Sequence, residues 1–478
     1  MLYFREQEKQ RLRAFIASGE TKAMAIYGRR RVGKTELVLD YVRENPDDCI
    51  YFQCASFDYA VCLSDFKMTV SPGDSILNAL TSFKDVFSYL TGKADSEKVY
   101  ILDEFPYLAK KRPEAMAEFQ WIIDHGLHGK KLILLGSNMS FMKRQLHEAE
   151  SPLYGRFDEA MELLPFRFTE LRSLFSSFDD AVRVYGMTGG VPQYVMLFLR
   201  YSSVEEAADA LFFDKDGRLL REAESLLMQE LRDATVYVSI LRAIAGGEKN
   251  SGQISAKCAM DPRGVFSYLN RLEELGILSV AENPLGNGKK EKRYRIADCL
   301  FRFTYTFIEP HISMIHALGS AARPHLLDDA FKEYLGFVYE DILREKCYSL
   351  AMQGRLSFMP ETVAKWWGAV KEEGVWKESE VDIVAYNETD ILIGECKYRQ
   401  KTVGVKEWDA LRQKANFLPV KGRKIHYLLA SRSGFTEELL HTAENVLLIE
   451  EDRPVTPPSA AGDSHGYPRP LNPPSRGW

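Results

Sequence analysis

The sequence predicts an α/β protein built in three successive parts, followed by a tail. Three observations carry this. Over the first 200 residues short apolar runs alternate with longer amphipathic ones, the pattern of a three-layer α/β domain. The middle of the chain holds three helix-length segments and a hairpin signature, and the same alternation resumes after about residue 330. The expected parts are 1–200, 201–320 and 325–450, with a disordered tail at 451–478.

"MAIYG", "CIYFQC", "VYILDEF" and "KLILLGS" predict buried strands of a parallel sheet, and "TELVLDYVREN" and "EAMAEFQWIIDHGLH" predict helices between them. In the middle part, "GVFSYLNRLEELGIL" puts Val265, Leu269, Leu272 and Leu275 on one helical face. A glycine-containing polar turn between "ILSV" and "KRYRI" follows, and three short helices with a hairpin predict a winged helix-turn-helix. The third part opens with the helix "DAFKEYLGFVYEDILREKCYSL" and continues in the strands "VDIVAY", "DILIGECKY" and "IHYLLAS". The tail is rich in Pro, Gly and Ser, too poor in apolar residues to offset the entropy of ordering.

The 478 residues are 45% hydrophobic and 27% charged, enough for several cores. The net charge of −6 excludes a globally basic polyanion binder, although local basic faces remain open. The 7 cysteines have no zinc-ribbon spacing, so reduced thiols and a cytoplasmic location are expected. The opening "MLYFREQEKQRLRAF" lacks the apolar core of a signal peptide, and no apolar run is long enough for a membrane span.

"GRRRVGKT", Gly28 to Thr35, fits G-x-x-x-x-G-K-[ST] between a strand and a helix. In such a loop backbone N–H groups surround phosphate oxygens, Lys34 reaches the β and γ phosphates, and Thr35 holds magnesium. The expected ATP contacts are Gly28, Arg29, Arg30, Arg31, Val32, Gly33, Lys34, Thr35 and Glu36. The three arginines either reinforce the field on the triphosphate or contact the protein's own acidic groups. "VYILDEF" ends in Asp103, expected at the metal, and Glu104, expected to polarise the attacking water. Ser137 and Asn138 close "LILLGS" and its neighbour, where a polar side chain meets the γ-phosphate or the water.

In order along about residues 1 to 450, "YGRRRVGKTEL", "ILDEFPYL", "GSNMSFM", "SPLYGRFDEAMELLPF", "GGVPQY" and "EVDIVA…GECKY" give a composite likeness. The chain resembles the archaeal-type P-loop ATPase family, relatives of AAA+ and signal-transduction NTPases also called DEXX-box ATPases. The resemblance implies an AAA-like core using ATP and magnesium. It implies that Arg156 approaches a neighbour's γ-phosphate, hence a homo-oligomer, the alternative being an arginine that braces the sheet edge. It implies that Pro192 lies near adenine and that Arg5 and Glu6 form the entry on the nucleotide side, where Phe4 replaces the family's usual glycine.

On the predicted recognition helix Arg263, Ser267, Asn270 and Arg271, with Lys289, Lys290, Lys292 and Arg293 on the wing, would face DNA. Glu273 and Glu274 on the same helix keep a protein-binding role open.

A second constellation lies downstream. Asp382, then twelve residues, then Glu395-x-Lys397 would place three side chains at one end of a hairpin. Asp382 and Glu395 would hold magnesium or manganese, Lys397 would orient water or stabilise the phosphate, and Glu340 would add a carboxylate, with Glu380 as its alternative. The bland alternative is a salt bridge of Lys397 to Glu395 or Asp382. The set resembles the PD-(D/E)xK phosphodiesterase superfamily, with Val381 in place of the usual proline; this implies a restriction-endonuclease-like fold. The function expected is a MgATP-hydrolysing ATPase coupled to a DNA-binding or DNA-cleaving nuclease-like domain. The competing expectations are a signalling or regulatory ATPase whose last domain binds DNA or protein without cleaving, and a protein-remodelling ATPase.

Overall fold

The computed structural model describes residues 3–54, 58–92, 98–231, 233–285, 292–372, 375–420, 422–443 and 445–455. The chain forms two compact units: residues 1–282 with 291–338, and residues 283–290 with 339–478. These divisions differ from the boundaries expected near residues 200 and 325. The first falls inside unit 1, and the second moves to 338, within one continuous helix, Asp329–Met352.

Unit 1 is built on five parallel strands, β1 (Ala23–Tyr27), β2 (Cys49–Gln53), β3 (Val99–Asp103), β4 (Lys131–Gly136) and β5 (Glu159–Glu162), in the order β2-β3-β4-β1-β5. β1, β3 and β4 are buried at every residue, as strands covered on both faces must be. Their side chains alternate between two cores. Tyr100, Leu102, Leu132 and Leu134 meet helices Tyr59–Val70, Phe83–Thr91 and Ala115–Trp121. Met24, Ile26, Ile101 and Ile133 meet Leu12 and Phe15 of Glu6–Ala17 and Leu37 and Val38 of Lys34–Glu44. Period two on a strand thus produces the three layers.

The rest of unit 1 is helical apart from one hairpin. Helices Glu222–Glu230, Ala234–Ala245, Ser251–Lys257 and Val265–Glu274 share one core with the antiparallel hairpin β6 (Leu278–Glu282) and β7 (Lys292–Ile296). Val265, Leu269, Leu272 and Leu275 are all buried there, so the predicted face is the packed one.

Unit 2 carries a six-stranded sheet of β8 (Thr362–Glu372), β9 (Val375–Tyr386), β10 (Asp390–Lys397), β11 (Lys424–Ser431), β12 (Val446–Glu450) and β13 (Arg453–Val455), in the order β13-β12-β11-β10-β9-β8. β10, β11 and β12 run parallel, and the remaining pairings are antiparallel. The tail begins later than expected, because residues 453–455 pair with β12; residues 456–478 lie outside the described residues. Among the described residues no helix is long and apolar enough to cross a membrane.

Candidate functional site

The loop between β1 and the helix Lys34–Glu44 turns at Gly28 and Gly33, both with positive φ. At Gly28 a Cβ would lie 2.4 Å from the carbonyl oxygen of Leu163, so only glycine lets the loop pass. The loop delivers Lys34 and Thr35 to the helix N-terminus, where unpaired N–H groups and the dipole favour an anion. Lys34 is buried, and its Nζ donates to the carbonyls of Gly28 (2.9 Å) and Arg29 (3.0 Å). Burial pulls its pKa down to about 8, against the opposing pull of Glu104 and Asp103.

β3 brings the acidic partners. Asp103 is fully buried, and its Oδ2 accepts from Thr35 Oγ1 at 2.6 Å and from Tyr51 OH at 2.9 Å. Burial, then the charge of Asp103, push the Tyr51 hydroxyl well up, which keeps it a donor. Glu104 has a φ of 52°, an uncommon left-handed conformation for a non-glycine residue, and its carboxylate accepts from Ser137 Oγ at 2.6 and 2.8 Å. β4 lies between β1 and β3 in the sheet, so its end sets Ser137 beside both. A cleft of about 670 Å³ opens over Lys34, Thr35 and Glu104, with Arg5, Phe166 and Pro192 among its other walls. That volume suits a nucleotide-sized ligand. A hydroxyl and a buried carboxylate 2.6 Å apart also suit magnesium, which takes few protein oxygens beside those of phosphate.

Several predicted residues engage the protein's own groups. Val32 is buried in the core, and only its backbone serves the loop, accepting from Arg5 at 3.2 Å. Arg5 itself is buried and also donates to the Leu164 carbonyl, fixing the N-terminal segment to the loop. Glu36 lines the cleft but accepts from Arg43 at 2.7 Å. Asn138 caps the helix Met139–His147 through Phe141 N (2.9 Å), whereas Ser137 meets Glu104. Arg156 donates to both oxygens of Asp124 at 3.1 Å and to the Tyr154 carbonyl. Arg29, Arg30 and Arg31 pair with Asp298, Glu230 and Glu222, the second of the two roles open to them. Tyr51, Tyr107, Glu222 and Glu230 carry no motif, and only the fold brings them to the loop.

In unit 2 the pairing of Gly394 with Ile383 sets Glu395 opposite Asp382. Asp382 and Glu395 are both buried. Asp382 accepts from Cys396 N at 2.9 Å, and its pKa is raised to about 7 by burial, then by the charges of Glu340 and Glu395. One Glu395 oxygen accepts from Lys397 at 2.6 Å, and the other from Lys414 at 2.8 Å. Burial opposes the charge on Lys397, but Glu395 and Asp382 outweigh it and raise its pKa. Lys414, on helix Val405–Phe417, carries no sequence motif, and only the fold brings it to Glu395. Glu340, the further carboxylate expected at this site, accepts from Lys365 (3.3 Å) and Arg344 (3.4 Å), and Glu380, its alternative, pairs with Lys365 at 2.9 Å. Among the described residues no three His, Cys, Asp or Glu side chains gather as a metal-binding cluster. The pair Asp382 and Glu395 fits magnesium, which needs only one or two carboxylates beside substrate phosphate.

Comparison with known proteins bears on both units. The family described as "AAA domain" (AAA_14) matches residues 20–172, which hold the five-stranded sheet and the loop. The family described as "Archaea bacterial proteins of unknown function" (DUF234) matches residues 304–410. An uncharacterized protein of Methanocaldococcus jannaschii is 30% identical over 415 residues, covering 84% of this chain and 88% of that protein. The chain belongs to that protein's family. This family member carries an AAA domain of the P-loop ATPase type at its N-terminal end. Among solved structures it is similar to the Aeropyrum pernix ORC2 protein in its ADPNP-ADP complexes, at 18% identity and a TM-score of 0.45, over 66% of this chain and 95% of that one. It is also similar to the Thermotoga maritima RuvB Holliday junction branch migration motor, at 15% identity and a TM-score of 0.31, over 58% and 90%.

Proposed function

We propose that unit 1 binds MgATP and hydrolyses it. The observation that carries this is the Thr35–Asp103 hydrogen bond of 2.6 Å, with Glu104 next in sequence. Loop amides and Lys34 hold the phosphates, and Phe166 and Pro192 wall the cleft on the base side. Thr35 and Asp103 would hold magnesium, which when bound supplies charge neutralisation at the β and γ phosphates. Glu104 takes the proton of the attacking water, and Ser137 fixes its carboxylate. The test is the rate of ATP turnover in wild type, Lys34→Ala and Glu104→Gln. Lys34→Ala should lose binding, and Glu104→Gln should keep binding while losing about 10²–10⁴ in rate. Equal rates in all three overturn the proposal. Arg156 serves a neighbouring copy by exchanging Asp124 for its γ-phosphate. Mixing Lys34→Ala with Arg156→Ala protein should then restore turnover that neither has alone, and no restoration removes that role.

For unit 2 the reading is a metal-assisted phosphodiesterase site in a PD-(D/E)xK-like fold, supported by Asp382 facing Glu395 with Lys397 upon it. Asp382 and Glu395 would hold the cation, and Lys397 orients water or phosphate. The hairpin and helices of unit 1 form a winged helix whose exposed Arg263, Ser267 and Asn270 meet the DNA backbone; Arg271 is instead engaged with Ser140 and Glu274. Lys289 and Lys290 lie outside the described residues. Cleavage of linear, branched and supercoiled DNA with magnesium or manganese should vanish in an Asp382→Ala, Lys397→Ala double variant. Equal cleavage by both proteins, or none by wild type, leaves the non-cleaving DNA- or protein-binding module as the reading.

A further inference from the structure

Three adjacent arginines of the phosphate loop each reach a carboxylate far downstream in unit 1. Arg31 donates to Glu222 Oε2 at 2.9 Å and to Gln193 Oε1 at 2.8 Å, and Glu222 also accepts from Tyr194 OH at 2.7 Å. Arg30 donates to Glu230 Oε1 at 3.2 Å and to Tyr107 OH at 3.0 Å, with one nitrogen 3.9 Å from Glu104 Oε1. Arg29 pairs with Asp298, the residue that caps helix Cys299–Phe303.

Glu222 and Glu230 are the first and last residues of one nine-residue helix. At a rise of about 1.5 Å per residue they stand roughly 12 Å apart, so two neighbouring loop side chains grip both ends of that helix. This is more than a surface ion pair. Glu222 is 6% exposed, and an uncompensated carboxylate at such a position is costly. Arg31 adopts a φ of 69°, a left-handed conformation that a residue with a side chain holds only when its surroundings impose it. The inner face of the helix, Ala223 and Leu227, lies in the same core as Leu241, Leu269 and Leu272. The grip therefore extends into the packing of the three-helix and hairpin module. The same two arginines border the cleft above Lys34 and Thr35.

We propose that Glu222 and Glu230 are resident stand-ins for nucleotide phosphate: Arg30 and Arg31 exchange between them and the triphosphate, so occupancy of the loop decides whether helix Glu222–Glu230 is held. The arginines are positioning residues for that helix, and the inference rests on the MgATP reading of the site. Withdrawing Arg31 leaves the buried Glu222 carboxylate with the Tyr194 hydroxyl as its donor, a cost that the larger charge of the triphosphate has to exceed for the helix to be released. ATP should then loosen the helix more than ADP does.

The experiment is hydrogen exchange on the full chain, with calorimetry of nucleotide binding. With a non-hydrolysable ATP analogue and magnesium, amides of residues 222–230 should exchange several-fold faster than without it, and ADP should give a smaller rise. The Glu222→Gln, Glu230→Gln double variant removes the competing anions. It should bind the analogue about three- to tenfold more tightly, the scale of a modest ion pair, and its helix should exchange alike with and without nucleotide. Glu224→Gln, an exposed acid of the same helix, makes a like charge change and should leave affinity as it was. Unchanged exchange in wild type, or equal tightening by Glu224→Gln, overturns the proposal. If the double variant does not fold, the wild-type exchange decides alone. Wild type that ignores the analogue in calorimetry removes the MgATP reading itself, a different result from binding without any change in the helix.

Discussion

Lys34 carries an ammonium in a place that disfavours charge. Burial lowers its pKa from 10.5 to about 8, so between those values the unfolded chain binds more protons than the folded one. Stability contributed by this group therefore rises with pH through that window, and it is absent below about 8. Phosphate binding needs the charged form and works in the opposite sense. ATP affinity should fall as pH rises above about 8, with proton uptake on binding visible as a buffer-dependent calorimetric enthalpy. Lys34→Arg keeps its charge and should lose that pH dependence; an unchanged slope would show that Lys34 does not titrate there. Asp382 is the mirror case. Its pKa is raised from 3.8 to about 7, so the folded chain holds the extra proton between those values. Its favourable contribution is present at low pH and is lost as pH rises through about 7. Asp382→Asn should raise the melting temperature of unit 2 at pH 8, with the gain shrinking toward pH 5. No gain at pH 8 would mean that the carboxylate is not strained by its burial. A residue that costs stability where it sits is a recurrent mark of a functional site.

At the scale of elements, the phosphate loop and the turn before Pro192 depend on two glycines with little alternative. A Cβ at Gly28 would lie 2.4 Å from the Leu163 carbonyl, and one at Gly190, where φ is 71°, would lie 2.2 Å from the Phe166 carbonyl. Both obstacles are backbone, so neither can turn aside. Gly28→Ala and Gly190→Ala should each cost at least about 1–3 kcal/mol, seen as a lower denaturant midpoint at constant m. A midpoint within error of wild type would mean that the loop rearranges freely. Elements were legible where burial left one reading. β1, β3 and β4 are buried throughout and carry continuous apolar runs, and "GKT" between a strand and a helix has few other meanings. β5 is four residues long with one buried, and β8 holds "KWWGAVK"; neither shows a run that separates it from a loop or a helix. The hairpin of β9 and β10 was legible because "NETD" is turn chemistry between apolar runs, and that alone put Asp382 opposite Glu395. Lys414, Glu222 and Glu230 were not, since long-range pairing leaves no local period to read.

Across the whole molecule the chain passes between the two units at more than one point, because residues 283–290 belong to unit 2 while β6 and β7 on either side belong to unit 1. The expected wing is therefore not a free surface loop over its described part. Leu285 is buried in one core with Trp366, Val381 and Trp408. Asn283 donates to the Trp367 carbonyl, and Pro284 accepts from Tyr386 OH at 3.1 Å. Unit 2 thus takes part of its core from a segment that precedes its main body by about 50 residues. Leu285→Ala removes a buried leucine, and truncations of this kind cost about 2–5 kcal/mol. The loss should fall on unit 2: hydrogen exchange in β9, β10 and β11 should accelerate, while β1, β3 and β4 keep their protection. A fragment starting at residue 339 lacks Leu285 altogether and should melt below unit 2 of the intact chain. If Leu285→Ala leaves exchange in β9 to β11 unchanged, or if the fragment melts as high as the intact unit, the turn is not part of that core. Were the loss to appear instead in β1, β3 and β4, the two units would share one cooperative transition, and the division of the chain at residues 283 and 339 would have no energetic meaning.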